Sequence, residues 1–232
     1  MTSHLFDIPA TPVIPVKGES AAYPVGRIFC VGRNYEEHAK EMGYQADREA
    51  PFYFTKTPTA ASPTGSTQPY PPGTENYHHE MELVVALGAS VFRATPEEAA
   101  NAVYAYGCGL DMTRRDLQQQ GKDKRRPWDL GKDFEEAAIF APLTKASDVG
   151  EIGPQRIHLE VNGEVRQDAH LSDLIHNITE VIVHLSKFYH LRPGDVIMTG
   201  TPAGVGPVVA GDVITGGIDG LDPISLTIAD PE

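Results

Sequence analysis

The sequence predicts an α+β fold, because short apolar segments typical of strands are interspersed with a few capped helices. One clear signal is Asn162-Gly163, which separates two short strand-like segments and is typical of a β-hairpin. Another is Asn177, a good N-cap for a helix whose apolar residues recur at helical spacing. The apolar stripe, which we expect to be buried, consists of Ile178, Val181, Ile182, Leu185, Phe188 and Tyr189.

The chain has 232 residues, enough for one sizeable core. Residues 1–26 contain four prolines among scattered apolar residues, which predicts an extended N-terminal arm. Residues 27–232 predict one domain, since no clear linker interrupts them.

The first elements of the domain are indicated by their end signals. Residues 27–31 predict a strand that ends at Gly32. Asn34 and Glu37 have the spacing of a capping box and Gly43 is typical of a helix end, so about two helical turns are predicted between them.

Further along the chain, residues 57–75 are rich in Pro, Thr, Ser and Gly and predict a long surface loop. Thr95 and Pro96 open a second helix. Its predicted packing face is Ala99, Ala102, Val103 and Tyr106. The remaining predicted strands are 51–56, 76–87, 157–161, 164–166, 196–198, 212–215 and 224–228.

The strand at 76–87 carries two carboxylates on one face. Because side chains alternate along a strand, Glu80 and Glu82 point the same way, about 7 Å apart. Apolar residues continue on both faces, and Asp111 ends a second apolar segment where it can deliver a third carboxylate. A solvated face is the commoner setting for a Glu-x-Glu pair. If the pair is buried, however, a hard divalent cation with oxygen ligands would stabilise the like charges.

His38 and Glu41 lie three residues apart on the first predicted helix and therefore share a face. A carboxylate beside an imidazole raises its basicity and fixes its tautomer, which suits a general base acting on water. The spacing alone more often marks an incidental surface pair.

Residues 112–132 carry seven of the nineteen Lys and Arg residues, directly after Asp111. Such a local excess can focus an anionic substrate, although three interleaved Asp residues also fit a solvated helix. We expect most of these cations to be exposed and one or two to face the site. Lys132 is the most suggestive, because its apolar neighbours make a cation costly unless it is paired. Small residues at 199–206 would let a ligand approach backbone amides.

The bulk composition excludes several classes of protein. A net charge of −13 argues against nucleic acid or an anionic membrane as the main partner. Cys30 and Cys108 fit no metal or redox spacing, so we expect reduced thiols and a reducing compartment. Since no apolar run has transmembrane length and the N-terminus lacks signal-peptide features, we expect a cytoplasmic protein.

From about residue 27 onward, several of these segments resemble the fumarylacetoacetate hydrolase family in the family's own order. The motifs are Gly32-Arg33-Asn34-Tyr35 with His38, His79-Glu80-Met81-Glu82-Leu83, residues 110–118, Gly131-Lys132, Pro193-Gly194-Asp195 and residues 199–206. Residues 30–43 are most similar to bacterial members that cleave fumarylpyruvate. One departure is Lys56-Thr57-Pro58, where the family has Lys directly before Pro. We expect it to affect the contacts of that loop and not the metal site.

The resemblance implies a mixed β-sandwich roll with peripheral helices, usually a homodimer. It implies that Glu80, Glu82 and Asp111 bind Mg²⁺ or Mn²⁺, and that His38 with Glu41 activates water from a segment that acts as a lid. Lys132 would stabilise the charge that develops on the substrate. The implied substrate contacts are Arg115, Gln118, Lys132 and Thr201.

The implied activity is hydrolysis of the C–C bond of an acylpyruvate, a small anionic keto acid; fumarylpyruvate would give fumarate and pyruvate. Oxaloacetate decarboxylation and isomerisation of an unsaturated keto-diacid would use the same metal site and stay open. His38 with Glu41 favours hydrolysis, because decarboxylation needs no activated nucleophile. The same pair argues against a non-catalytic binding protein, which needs no base.

Overall fold

The computed structural model describes residues 5–6, 10–41 and 50–232, without the side chain of Ala39. The strands are β1 Val13–Ile14, β2 Tyr23–Pro24, β3 Arg27–Gly32, β4 Phe52–Lys56, β5 Ala61–Pro63, β6 Ser66–Pro69, β7 Tyr77–His79, β8 Met81–Leu87, β9 Val103–Asp111, β10 Thr113–Arg114, β11 Ala138–Phe140, β12 Thr144–Lys145, β13 Arg156–Val161, β14 Glu164–His170, β15 Asp195–Met198, β16 Gly206–Val208, β17 Val213–Ile218 and β18 Ile224–Ala229. The α-helices are α1 Glu36–Glu41, α2 Pro96–Asn101, α3 Arg115–Asp123, α4 Asp129–Lys132, α5 Ala146–Val149 and α6 Ile178–Leu185, with 3₁₀ turns at Pro58–Ala60 and Leu171–Asp173.

Two large mixed sheets form the body of the molecule. The larger has the order β4-β3-β15-β8-β9-β11-β5, with β12 paired to β9, and the smaller has the order β14-β13-β17-β18-β6. Strands β13, β17 and β18 of the smaller sheet pack on β8, β9 and β11 of the larger one, and the core lies between the two sheets. A third sheet, β10-β7-β16, and a β1-β2 pair complete the set. This arrangement confirms the predicted α+β class.

Several local predictions are confirmed by the structure. Asn162 and Gly163 both have positive φ, as a tight turn between β13 and β14 requires. Thr95 and Asn177 accept hydrogen bonds from the third helical residue and open α2 and α6 with capping boxes. Cys30 is a buried free thiol, as is Cys108.

The predicted loop at 57–75 is wrong, because two strands lie inside it. Strand β5 runs parallel to β11, with Ala61 opposite Ala138, and β6 runs parallel to β18, with Ser66 opposite Leu226. These strands are short and polar, and they are ordered by partners far away in the sequence rather than by their own composition.

Two helix predictions extend too far. Helix α2 ends at Asn101, so Val103 and Tyr106 belong to β9 instead. Helix α6 ends at Leu185, and Phe188 and Tyr189 beyond it are 64% and 42% exposed rather than core. Apolar runs at strand and helix spacing overlap over a few residues, which explains the error at α2.

Asn34 is not the N-cap of the first helix, which begins at Glu36. Its side chain instead donates to the carbonyls of His176 and Thr199 and accepts from the His176 N–H. These bonds tie the start of the helical segment to the loop after β15. The predicted helix stop at Gly43 lies outside the described residues.

Residues 10–26, within the predicted arm, contain β1 and β2. The buried Tyr23 hydroxyl lies within hydrogen-bond distance of the carbonyls of Leu87 and Asp195, at 2.8 and 2.9 Å. None of the helices in the described ranges is long and apolar enough to span a bilayer.

Candidate active site

The three predicted acids meet in one buried cluster, here called the acid cluster: Glu80, Glu82 and Asp111. One carboxylate oxygen of each lies within 4.8 Å of the others. Strand pairing brings them together, since β8 runs antiparallel to β9 with Met81 opposite Leu110. The Asp111 N–H also donates to the Glu80 carbonyl at 2.9 Å.

The predicted single strand at 76–87 is interrupted at Glu80. Tyr77–His79 joins the small third sheet, whereas Met81–Leu87 joins the large one and is buried along its whole length. Glu80 therefore lies where the chain passes between sheets, and its side chain still converges with that of Glu82.

Three buried cations contact the acid cluster. Lys132 Nζ donates to Glu80 at 2.8 Å, to Asp111 at 2.7 Å and to the Thr113 hydroxyl at 2.7 Å. Arg115 forms an ion pair with Glu80 and donates to the Gln118 side-chain oxygen at 2.8 Å. Burial alone would raise the pKa of Glu80, but Lys132, Arg115 and His38 hold it well below its usual range.

The third cation, Lys56, was not among the predicted site residues. It is fully buried at the end of β4, with its Nζ 2.9 Å from Asp111 Oδ1. Its ammonium also donates to the carbonyls of Met112 and Lys132. Lys56, directly before the departure at Thr57, therefore contacts one of the predicted metal ligands, and the expectation that the departure does not affect the metal site stays a prediction. An apolar strand ending in Lys is the signal that sequence reasoning passed over.

Glu82 differs from Glu80 and Asp111, whose buried charges are offset by ion pairs with lysine or arginine. Among the described residues it forms no ion pair, and its carboxylate accepts one hydrogen bond, from the Gly200 N–H at 2.7 Å. Burial, followed by the neighbouring Asp111 and Glu80, raises the pKa of Glu82 well above its ordinary value. Asp111 Oδ1 is buried and has no well-oriented hydrogen bond, despite its ion pair with Lys56. An under-compensated carboxylate and an orphaned oxygen, in an all-oxygen donor set, fit a hard divalent cation.

His38 and Glu41 lie on α1, and His38 lines one cavity with the acid cluster. His38 Nδ1 is 3.3 Å from Glu41, and the Glu41 carboxylate accepts the Gly204 N–H at 3.2 Å. Burial lowers the pKa of His38, an effect that the nearby Glu80 and Glu41 only partly oppose. Gly204 has φ of 95°, and a Cβ there would meet the Arg166 carbonyl at 1.9 Å, so only glycine fits where its N–H reaches Glu41.

Residues 27–229 match the profile of the family described as Fumarylacetoacetate (FAA) hydrolase C-terminal. The chain belongs to the fumarylacetoacetate hydrolase family. It is 49% identical over 193 residues to fumarylpyruvate hydrolase of a Ralstonia species, covering 82% of this chain and 100% of the relative. It is also 43% identical over 209 residues to the mitochondrial oxaloacetate tautomerase of Homo sapiens, covering 88% and 92%.

A solved structure of a family member has nearly the same backbone. Fumarylpyruvate hydrolase from Pseudomonas aeruginosa, in complex with Mn²⁺ and pyruvate, superposes with a TM-score of 0.94 at 44% identity, covering 98% of this chain and 100% of that one. The expected family resemblance and fold are thus confirmed.

The residues that family resemblance implies as substrate contacts lie around the acid cluster. Arg115 and Gln118 are buried on α3, and Thr201 is buried in the loop after β15. Gln167, which sequence reasoning missed, fixes that loop by donating to the Thr201 hydroxyl and the Pro202 carbonyl, both at 2.8 Å. It is the buried residue of an otherwise exposed stretch of β14, so no sequence pattern marks it.

Of the seven cations at 112–132, Arg115 and Lys132 are buried at the acid cluster, as expected for one or two. Lys122 and Arg114 are half-buried. The three exposed members are Lys124, Arg125 and Arg126.

The cavity at the acid cluster measures only about 30 Å³. Its lining includes the acid cluster, His38 and Thr201. A water molecule needs roughly 10–15 Å³ on this measure, so the cavity has room for an ion or for one or two water molecules.

Proposed function

We propose that this chain is a metal-dependent hydrolase that cleaves the C–C bond of an acylpyruvate, converting fumarylpyruvate into fumarate and pyruvate. The observation that carries the proposal is that His38, which lies beside Glu41, lines one cavity together with the buried acid cluster. The names of the Ralstonia and Pseudomonas relatives, and the Mn²⁺ and pyruvate in the Pseudomonas structure, support it.

Glu80, Glu82 and Asp111 would hold Mg²⁺ or Mn²⁺. When bound, the dication would supply Lewis-acid stabilisation of negative charge on the keto oxygen of the substrate. The all-oxygen donor set of these three acids favours this assignment, because hard dications prefer carboxylate oxygens.

The chain's own groups supply the proton transfers. His38 takes a proton from water, and Glu41 stabilises the imidazolium that forms. The hydroxide adds to the acyl carbonyl carbon, and collapse of the adduct breaks the bond to the neighbouring methylene. The electron pair of that bond becomes the enolate of pyruvate, which the positive charge of the Lys132 ammonium stabilises. Returning the proton from His38 to the methylene carbon completes pyruvate, while the acyl part leaves as fumarate.

The test is cleavage by EDTA-treated protein before and after addition of Mg²⁺ or Mn²⁺. Loss of the enol absorbance of fumarylpyruvate should depend on the metal and yield fumarate and pyruvate in equal amounts. A matched control is Glu97→Gln, an exposed acid on α2. Equal rates in stripped and loaded samples would overturn the proposal.

Oxaloacetate tautomerisation is the second candidate, because the human mitochondrial relative and one from Escherichia coli, at 43% and 40% identity, carry that name. Tautomerisation shifts one proton and needs no nucleophilic water. Decarboxylation of oxaloacetate and isomerisation of an unsaturated keto-diacid belong to the same group of alternatives. Incubating the metal-loaded protein with enol-oxaloacetate and with fumarylpyruvate separates hydrolysis from these alternatives, since only hydrolysis of fumarylpyruvate releases fumarate.

The proposal also includes a role in the breakdown of aromatic compounds, together with the expected cytoplasmic location and homodimeric state. They follow from the sequence and the family resemblance. Light scattering on the purified protein tests the dimer.

A further inference from the structure

One face of α3 runs outward from the acid cluster. Arg115, Gln118 and Lys122 occupy positions i, i+3 and i+7, which place them on the same side of a helix. Arg115 contacts Glu80, and Lys122 begins about 10 Å farther along the helix axis. All three side chains line the cavity of the site.

Lys122 differs from the other cations of the site in its partners. Lys56, Arg115 and Lys132 each contact a carboxylate, whereas Lys122 forms no ion pair among the described residues. Its Nζ lies 5.3 Å from the centre of the Trp128 ring. Burial, then Arg115 and Arg33, lower the pKa of Lys122 to about 8, and attraction to Glu80 opposes this effect only in part.

Between the acid cluster and Lys122 the cavity wall is aromatic. Phe52 and Phe54 pack on Trp128, with ring centres 5.6 and 5.9 Å apart, and all three line the cavity. Such a wall suits a planar, unsaturated carbon chain.

We propose that Lys122 binds the distal carboxylate of a dicarboxylic acyl chain and so selects acylpyruvates that end in a second carboxylate. This rests on the proposed function, in which the pyruvate half lies at the acid cluster. Fumarylpyruvate has six bonds between its carboxylate carbons, which span about 8 Å when extended, from ~3.8 Å per three bonds. That length is about 2 Å less than the rise of about 10 Å from Arg115 to Lys122, a difference within the reach of a lysine side chain, and the aromatic residues line the same cavity.

The test compares Lys122→Met with wild type on fumarylpyruvate and on acetylpyruvate, which lacks the distal carboxylate. A charge-assisted hydrogen bond contributes enough that the ratio of kcat/KM values should fall about 10- to 100-fold. Lys124→Met, an exposed lysine on the same helix end, is the matched control and should leave the ratio unchanged. An unchanged ratio in Lys122→Met, including an equal loss on both substrates, would overturn the inference.

A binding comparison separates this inference from the proposed function. Dissociation constants of the Mn²⁺-loaded protein for fumarate and for crotonate, which has one carboxylate, need no turnover. Lys122→Met should remove the preference for fumarate, and a retained preference contradicts the role of Lys122. Suppose that the wild type cleaves neither acylpyruvate but prefers fumarate to crotonate, and that Lys122→Met loses this preference. The hydrolase proposal would then fail, and the Lys122 site would stand.

Discussion

Replacing Glu82 by Gln should stabilise the metal-free protein while weakening its response to metal. Glu82 is 2% exposed, and its ligand oxygen lies within 4.8 Å of those of Glu80 and Asp111. At an effective dielectric constant of 20, each like-charge pair at that separation costs about 3.5 kcal/mol. Attraction to Lys132 offsets part of this repulsion. Since Gln keeps an oxygen to accept the Gly200 N–H, we expect a net gain of about 1–3 kcal/mol.

The assay is urea unfolding in EDTA at pH 5 and pH 8, with Glu97→Gln as the exposed control. The folded state raises the pKa of Glu82 above its unfolded value of 4.5, so wild type loses stability as pH rises above 4.5. Glu82→Gln lacks that loss, and its advantage should therefore be small at pH 5 and larger at pH 8.

Added Mn²⁺ should reverse the order of stability. A ligand at 100 times its dissociation constant stabilises the folded state by about 2.7 kcal/mol, and the variant has lost one of three carboxylate ligands. The reasoning is refuted if Glu82→Gln in EDTA is no more stable than wild type at pH 8, or if its advantage does not grow with pH.

Three further predictions concern the groups around the acid cluster. His38→Ala should lower turnover of fumarylpyruvate about 10²- to 10⁴-fold yet keep Mn²⁺ affinity by calorimetry, whereas full activity would contradict its role as base. Lys56→Met should lower the free energy of unfolding, measured in urea, by about 3–5 kcal/mol, because Asp111 stays buried with one ion-pair partner fewer. A loss under about 1 kcal/mol would contradict this, because it would show that Lys132 alone compensates the charge of Asp111. Because burial lowers the pKa of His38 from 6.5, kcat/KM should stay flat near pH 7 and fall only below pH 6.5 as the imidazole is protonated, and an inflection above that value would oppose this.

The acid cluster could be predicted from sequence because local patterns encode it. Alternation along the predicted strand at 76–87 puts Glu80 and Glu82 on one side, and Asp111 ends the adjacent apolar strand. Capping boxes at Thr95 and Asn177 likewise depend on residues three apart. Such signals need no knowledge of the rest of the fold.

The residues that sequence reasoning missed or misassigned are positioned by contacts with residues far away in the sequence. Lys56 and Gln167 look like ordinary polar residues until the sheets bring them to Asp111 and Thr201. Asn34 has the chemistry of an N-cap, yet it bonds to a loop more than 140 positions away. Short-range propensity describes options for such residues, and packing decides among them.

The pairing of β6 with β18 has a consequence for biosynthesis. Ser66 is opposite Leu226, so the edge of the smaller sheet cannot close until the ribosome has released nearly the whole chain. High contact order of this kind slows folding and leaves strand edges open to aggregation in the interval. A nascent chain that stops before residue 224 would therefore carry the complete acid cluster on a body whose second layer is unfinished.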